Sequence, residues 1–414
     1  MRAGPAGQRS PVKILTAMLG AALALSPAAP AHDEKIAYTR WTALPAWPRP
    51  AGRTTYAGRA WESASWTGPV HRIGFGASQL VASWDARTPA GTWLQVDMRG
   101  TYTNGQKTPW YVMGRWASGE EAIRRTSVRG QHDPYSSIDT DTFTITDPAR
   151  GVLLADYQLR LTAFTAPGSA VLPEVREVGA MVSDVPPRFE VRRSDGHLAW
   201  GRELAVPRRS QKIHAGQYPQ YNGGGEAWCS PTSTAMVVEY WHRGPSRADL
   251  AWVDPSYADP QVDNAARHTY DVAYDGTGNW PFNTAYAAGF DLEAIVTRLH
   301  SLDDAEHFIA AGIPVITSQS FLPAELDGAG YGTAGHLMVI IGFTTTGDVI
   351  VNDPASASDE RVRHVYRREQ FERIWQRTRR HRADGTVTNG SGGIAYLIKP
   401  WTTPWPRVPG ATNW

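Results

Sequence analysis

Cysteine is almost absent: Cys229 is the one thiol in 414 residues. No disulfide can close within the chain, so stability has to come from burial, for which 17 Trp, 16 Tyr and 10 Phe supply the area. The lone sulfur is then either inert core filler or a reactive centre. Long apolar runs are missing as well. The longest, residues 14–25, spans only 12 residues, too short to cross a bilayer. Arg2, Arg9 and Lys13 precede it, and Ala29, Pro30 and Ala31 follow it. That order is the pattern of a secretory signal peptide over residues 1–31. The expectation is a soluble, secreted, extracellular chain that begins near His32 and has no membrane anchor.

An excess of either charge is also lacking. Past residue 31 there are 38 basic and 40 acidic side chains, which offers no nucleic-acid footprint. Several chemistries lack their motifs. There is no His-Glu-x-x-His and no Cys-x-x-Cys for zinc, no Gly-x-x-x-x-Gly-Lys for ATP phosphates, and no Gly-x-Ser-x-Gly nucleophile elbow. No metal and no cofactor are expected, and the chain is read as a monomer.

Beyond the leader about 383 residues remain, more than one core usually supports, so two domains are expected. Over residues 32–183 short period-two runs dominate: Thr92, Leu94, Val96 and Met98 alternate with Trp93, Gln95 and Asp97. Frequent Gly, Pro, Asp and Asn breaks between such runs argue for an all-β sandwich. The pattern turns irregular, proline-rich and charged around residues 184–203, which reads as a linker. Past it, helical and strand-like pieces mix in an α+β domain over residues 204–400, followed by a Pro- and Trp-rich tail at 401–414. The pieces are a helix from Pro231 to about Trp241, a helix over 301–312, and strands over 313–318, 336–343 and 348–353.

Cys229 stands between Gly223, Gly224, Gly225 and the first of these helices. Ser230 suits an N-cap and Pro231 the first helical position, which puts the thiol at the positive end of a helix dipole. There, beside an imidazolium, a cysteine pKa can fall from about 8.5 to between about 3.5 and 7.5. The three glycines leave backbone N–H groups uncovered and would let a substrate approach.

A thiolate nucleophile needs a base. His242 lies about 20 Å along the same helix and cannot serve. His300, His307, His364 and His381 sit in charged segments, and nothing fixes His268. His336 opens the strand "HLMVIIGF" behind the loop "DGAGYGTAGH", at the mouth of a sheet. The hairpin through "TTTGD" returns as "VIVND" and brings Asn352 and Asp353 back to that end. Asp353 would lie across from about Val339, about 10 Å along the strand from His336 unless a bulge shortens the path. Asn352 and Asp353 point to opposite faces, and alternation alone does not choose between them.

Four blocks in order, "SQKIHAGQYPQYNGGGEAWCSPTSTAMVVEYW", "AAGIPVITSQS", "GHLMVIIGF" and "VIVNDPAS", resemble the papain-like cysteine peptidases related to bacteriocin-processing, double-glycine-leader peptidases. The resemblance covers about residues 204 to 400. It implies a central helix packed on an antiparallel sheet, with Cys229 as nucleophile, His336 as general base and acid, and Asp353 as the residue orienting His336. An upstream Gln would donate to the oxyanion, and "Gln-Tyr-Pro" favours Gln217 over Gln220 and Gln211. The implied reaction is hydrolysis of peptide bonds through a thioester, with a peptide or protein as substrate. Transglutaminase-like transfer and cell-wall amidohydrolysis are the neighbouring chemistries, and an inactive glycan- or wall-binding protein is the rival outside catalysis. The stretches "ASWDARTPAGTWLQVDMRG" and "YQLRLTAFTA" resemble galactose-binding-like jelly rolls, which implies for residues 32–183 either a carbohydrate or cell-wall ligand or a packing and spacer role.

Overall fold

A computed structural model describes residues 34–414, so the leader read at residues 1–31 lies outside the described residues. The first half is built of β1 (Lys35–Trp41), β2 (Gly52–Tyr56), β3 (Arg59–Thr67), β4 (His71–Ala77), β5 (Gln79–Arg87), β6 (Thr92–Tyr102), β7 (Tyr111–Trp116), β8 (Ser136–Asp139), β9 (Thr142–Ile145), β10 (Leu154–Thr165) and β11 (Glu174–Asp184). They form two antiparallel sheets, one in the order β1-β11-β5-β9-β8, the other β2-β3-β10-β6-β7 with β4 also on β10. The alternation read from the sequence has a direct outcome. Leu94, Val96 and Met98 meet Leu80, Ala82 and Trp84 in a core between the two sheets, while Trp93 turns outward to stack on Phe164 with ring centroids 3.7 Å apart.

The second half contains α1 (Cys229–Tyr240), α2 (Pro260–Thr269), α3 (Trp280–Ala288), β12 (Leu292–Arg298), α4 (Leu302–Ala310), β13 (Val315–Phe321), β14 (Thr333–Phe343), β15 (Val349–Asn352), β16 (Arg363–Tyr366), α5 (Arg368–Gln376), β17 (Arg379–His381), β18 (Val387–Asn389) and β19 (Ile394–Pro400). Six strands make one antiparallel sheet in the order β12-β19-β13-β14-β15-β16. This is an α+β fold with helices on a twisted antiparallel sheet. Every side chain of β14 from His336 to Phe343 is buried, because α1 and α4 both pack on it. A strand covered on both faces reads as a continuous apolar run, as "LMVIIGF" does. Helix α1 is buried from Ser230 to Val238, as expected of a helix apolar nearly all round. Among the described residues no helix is long and apolar enough to cross a membrane.

The two halves share their interior. One face of β5 carries Leu80, Ala82 and Trp84 to the first core, whereas Val81 joins the core of the second half together with Met181 and Ile36. On that same face the Ser83 Oγ accepts from Val296 N at 2.9 Å, so β5 covers the edge strand β12. Arg298 is fully enclosed at this boundary and reaches Gln79 Oε1 at 2.5 Å and Ser183 Oγ at 3.1 Å, and burial pushes its pKa down to about 10. Burial likewise pushes the Asp85 and Glu177 carboxyls up to about 7, with their surrounding arginines opposing it. Asp85, Glu177 and Arg298 are all buried at this boundary.

Residues 184–203 form no strand or helix beyond the end of β11 and two isolated bridges, yet they do not hang free. Ser194 N donates to Glu372, Gly196 N to Asp303 and Ala199 N to Glu306, at 2.8, 2.7 and 3.0 Å. The tail is held in the same way: Thr412 O accepts from Tyr38 N at 2.7 Å, and Asn413 Nδ2 donates to Arg298 O at 2.8 Å.

Candidate active site

Helix α1 begins at Cys229 itself, two residues earlier than the capping pattern suggests. Trp228 occupies the N-cap without a side-chain cap, and Ser230 spends its hydroxyl on Tyr396 Oη at 3.0 Å. A buried tyrosine oxygen offers Ser230 a partner that the isolated sequence does not reveal, and Trp228 is locked by its own indole N–H, which donates to Tyr221 O at 2.6 Å. As the first helical residue, Cys229 has a backbone N–H with no partner inside the helix, and its sulfur sits at the dipole's positive end.

His336 lies on β14, whose first residue is Thr333, so it stands inside the strand rather than at its start. It pairs in register with Gln319 of β13. Opposite, Val339 pairs with Asn352, and a shift between Ile340 and Gly342 breaks the ladder there. Asp353 thus falls just past the end of β15, turned toward His336, whose Nε2 is 2.8 Å from Asp353 Oδ1. The choice between the adjacent Asn352 and Asp353 is resolved by the pleat. Asn352 faces away and donates to Val206 O and Pro207 O at 3.2 and 3.0 Å.

With Nε2 engaged by Asp353, the nitrogen left to face the sulfur is Nδ1, and the thiol and the ring act on each other electrostatically. Asp353 is buried and fully used: Oδ1 also accepts from Ala355 N at 2.9 Å, and Oδ2 accepts from Tyr331 and Tyr366 hydroxyls at 2.8 and 3.1 Å. The electrostatics follow from these contacts. Burial opposes a charge on His336, but the Asp353 carboxylate, its hydrogen bond and the sulfur outweigh that and push the pKa up to about 10. Burial likewise opposes a thiolate at Cys229, and the His336 hydrogen bond and charge, with backbone donors at Leu337 and Ser230, bring its pKa below the ordinary thiol value. Asp353 is held below the usual carboxylate range, because His336, Ala355 and Tyr331 overcome its burial. These groups titrate as one coupled set, in which the thiolate, the imidazolium and the carboxylate favour one another.

Cys229 and His336 border a cavity of about 830 Å³, walled further by Gln211, Tyr274, Trp280 and Tyr331. The glutamine on the wall is Gln211, not Gln217. Gln217 lies in a turn where its Oε1 is 2.9 Å from His214 Nδ1 and its Nε2 donates to Ile213 O at 3.3 Å, and Gln220 is exposed. The turn of residues 212–217 intervenes between Gln211 and the helix, so sequence distance to Cys229 is a poor guide to spatial distance. Gln211 donates from Nε2 to Glu226 O at 2.9 Å and is buried with its Oε1 unpaired. Gly224 and Gly225 serve this packing rather than an open approach for substrate. Gly225 has φ of 36°, and a Cβ there would meet His214 C at 2.4 Å and Gln211 O at 2.5 Å. A side chain at position 225 would push the Gln211 turn off the helix start.

The first half also reaches the cavity. Trp280 on its wall donates its backbone N–H to Asp141 Oδ2 at 2.7 Å, from the turn between β8 and β9. Asp271 accepts from Ser127 N and from Asn279 Nδ2, both at 2.9 Å. The wall of residues 271–280 is therefore held in place from outside the α+β half, a role no local pattern in the sequence announces. Tyr331 and Tyr366 were equally unforeseen, and the one available signal was a tyrosine inside the glycine-rich loop before His336.

Residues 31–183 match the family model described as Peptidase C39 N-terminal domain, and residues 203–383 match the one described as Peptidase_C39 like family. No curated protein matches. Among solved structures there is a crystal structure described as that of a C39-like peptidase from Bacillus anthracis, 18% identical, with a TM-score of 0.29, covering 48% of this chain and 96% of its own. Two C39 models in tandem, one over each half, account for most of the described residues, and the chain belongs to the C39 family of cysteine peptidases.

Proposed function

We propose that this chain is a secreted peptidase that hydrolyses peptide bonds through Cys229, His336 and Asp353. The observation that carries the reading is the 2.8 Å contact of His336 Nε2 with Asp353 Oδ1, with Cys229 and His336 together on the wall of one cavity. The thiolate attacks the scissile carbonyl carbon, and the negative charge moves to the carbonyl oxygen. His336 passes its Nδ1 proton to the leaving nitrogen as the C–N bond breaks, which leaves a thioester on Cys229. The neutral imidazole then takes a proton from water, the hydroxide attacks the thioester, and the acid departs as the thiolate–imidazolium pair is restored. Asp353 fixes the ring and stabilises its positive charge throughout.

The oxyanion needs donors. The Cys229 N–H is free for this as a first-turn amide, and Gln211 has a second Nε2 hydrogen beyond the one given to Glu226 O. Gln211→Ala is expected to lower kcat by about 10²- to 10³-fold. Gln217→Ala should change kcat less than about threefold, because its amide is spent on the turn holding His214. Steady-state kinetics on one peptide substrate compares the two, and the reverse ranking would reassign the donor.

The direct test of the reaction is capture of its intermediate. Acid-quenched turnover, analysed by mass spectrometry, should show a substrate acyl group on Cys229 that hydroxylamine removes. Turnover that proceeds without such an adduct, and that survives alkylation of Cys229, overturns the proposal.

A further inference from the structure

Strands β17 and β18 close a hairpin whose first strand lies in "RTRRHRADG". Arg377, Arg379, Arg380 and Arg382 fall within six residues. Only Arg377 is neutralised, by a two-pronged pair to Glu325 at 2.5 and 2.7 Å. The others have neutral acceptors: Arg379 donates to Asn389 Oδ1 at 2.6 Å, Arg380 to Ala334 O at 3.4 Å and Arg382 to Thr388 Oγ1 at 3.3 Å. Arg380 is itself buried and its Nε has no partner. The acid in the hairpin turn, Asp384, accepts from Thr386 N and Oγ1 at 2.9 and 2.6 Å.

Position gives this strip its meaning. Asn389, which holds Arg379, and Ala334, which holds Arg380, both line the catalytic cavity, as do Gly390 and Ser391. Arg379 and Arg380 therefore stand beside one wall of the cavity that contains Cys229, held by residues that line it. Arg160, Arg209 and Arg368 have carboxylate partners in Asp97, Glu239 and Glu306, whereas the buried Arg125 and Arg298 donate to neutral oxygens. The other charged pair on the cavity wall, Lys212 with Glu226, cancels itself. Burial, and then the like charge of Arg377, press the Arg380 guanidinium toward its neutral form, with Glu325 opposing and Arg382 adding a smaller push. A cluster of guanidiniums only partly balanced by Glu325 and Asp384, beside a binding cavity, is complementary to an anion supplied from outside.

We propose that the β17–β18 hairpin binds carboxylate side chains of an extended polypeptide substrate, so that the cavity favours segments bearing Asp or Glu beside the scissile bond. The inference rests on the peptidase reading for the nature of the occupant, but binding requires no catalysis, which separates the two in experiment. The probes are fluorescein-labelled extended peptides in matched pairs, one with Asp and Glu and the other with Asn and Gln at the same positions. Their affinity for the full chain carrying Cys229→Ala is read by anisotropy at low and high salt, and their cleavage by the wild type is followed in parallel.

The acidic peptide is expected to bind about tenfold more tightly at low salt, with the advantage collapsing as salt screens the hairpin. Adding Arg379→Gln and Arg382→Gln should remove most of the difference, and Arg379→Glu with Arg382→Glu should turn the preference toward Lys-bearing peptides. The salt arm needs no hairpin substitution, so the test stands even if those variants misfold. Equal affinities at low salt overturn the inference, and if both peptides are nonetheless cleaved the hydrolase reading survives without it. An acidic preference that follows the salt and charge changes, with no cleavage of any peptide by the wild type, keeps the binding inference and overturns the hydrolase.

Discussion

Replacing Cys229 by alanine is expected to lower kcat/KM for peptide hydrolysis by about 10⁴-fold or more, while the melting temperature moves by only a few degrees. The size of the loss follows from what is removed. No other side chain in the 414 residues carries a thiol, and the oxyanion donors that remain can stabilise a tetrahedral centre only if some nucleophile forms it. The small change in melting temperature follows from the same geometry. Cys229 is partly exposed at a helix start, so truncating it deletes one sulfur from a cavity wall rather than from a packed core, a cost of about 1 kcal/mol. Alkylation supplies the companion measurement. Because His336 brings the sulfur's pKa below that of an ordinary thiol, iodoacetamide should modify the wild type at pH values where a free cysteine is protonated. Sluggish labelling that rises only near pH 8.5 to 9 would show that no ion pair forms. Hydrolysis retained by the alanine variant would remove Cys229 from the reaction altogether.

What the sequence discloses and what it hides divide along the range of the interactions. Cys229 at a helix start, His336 in a buried strand and the return of "VIVND" beside it are all legible, since each depends on a pattern a few residues long: a proline near the first turn, an apolar run, a hairpin. The Asn352 or Asp353 choice is not, because the shift between Ile340 and Gly342 that sets the register is a packing event. Gln211 is hidden for a related reason. The turn of residues 212–217 loops out, and Gly225 lets the chain fold back so that Gln211 meets Glu226 O. Which glutamine lies on the wall is thus decided by a close backbone contact rather than by spacing from the cysteine. The hold of Asp141 on Trp280 and of Ser127 on Asp271 spans more than 130 residues of sequence, and no local rule connects them. Composition suggests two units joined by a linker, whereas the residues of that linker are fastened to Glu372, Asp303 and Glu306.

Asp353→Ala is expected to lower kcat/KM by about 10⁴-fold, and the route of that loss can be separated from mere unfolding. The carboxylate accepts four hydrogen bonds, from His336, Ala355, Tyr331 and Tyr366. Alanine would strand two buried hydroxyls, an amide and an imidazole N–H, each worth about 1–3 kcal/mol when left unpaired. Asp353→Asn is therefore the sharper variant. Its Oδ1 can still accept from His336 and Ala355, and the two tyrosine hydroxyls can rotate to accept from its Nδ2. The geometry survives and the charge is lost. In the wild type the alkaline limb of the pH profile belongs to His336, which must be protonated to serve the leaving amine, so kcat/KM should hold until the pH approaches about 10 and fall beyond it. Without the carboxylate, burial alone acts on the ring together with the sulfur, and the limb must move down in pH. Each unit of that shift withdraws about 1.4 kcal/mol of ion-pair stabilisation, so the asparagine variant loses activity most at alkaline pH and least at acid pH. A pH profile of kcat/KM for the wild type and Asp353→Asn measures this directly. Superimposable alkaline limbs would mean that the carboxylate does not hold the imidazolium, and the charge assignment built on the 2.8 Å contact would fail.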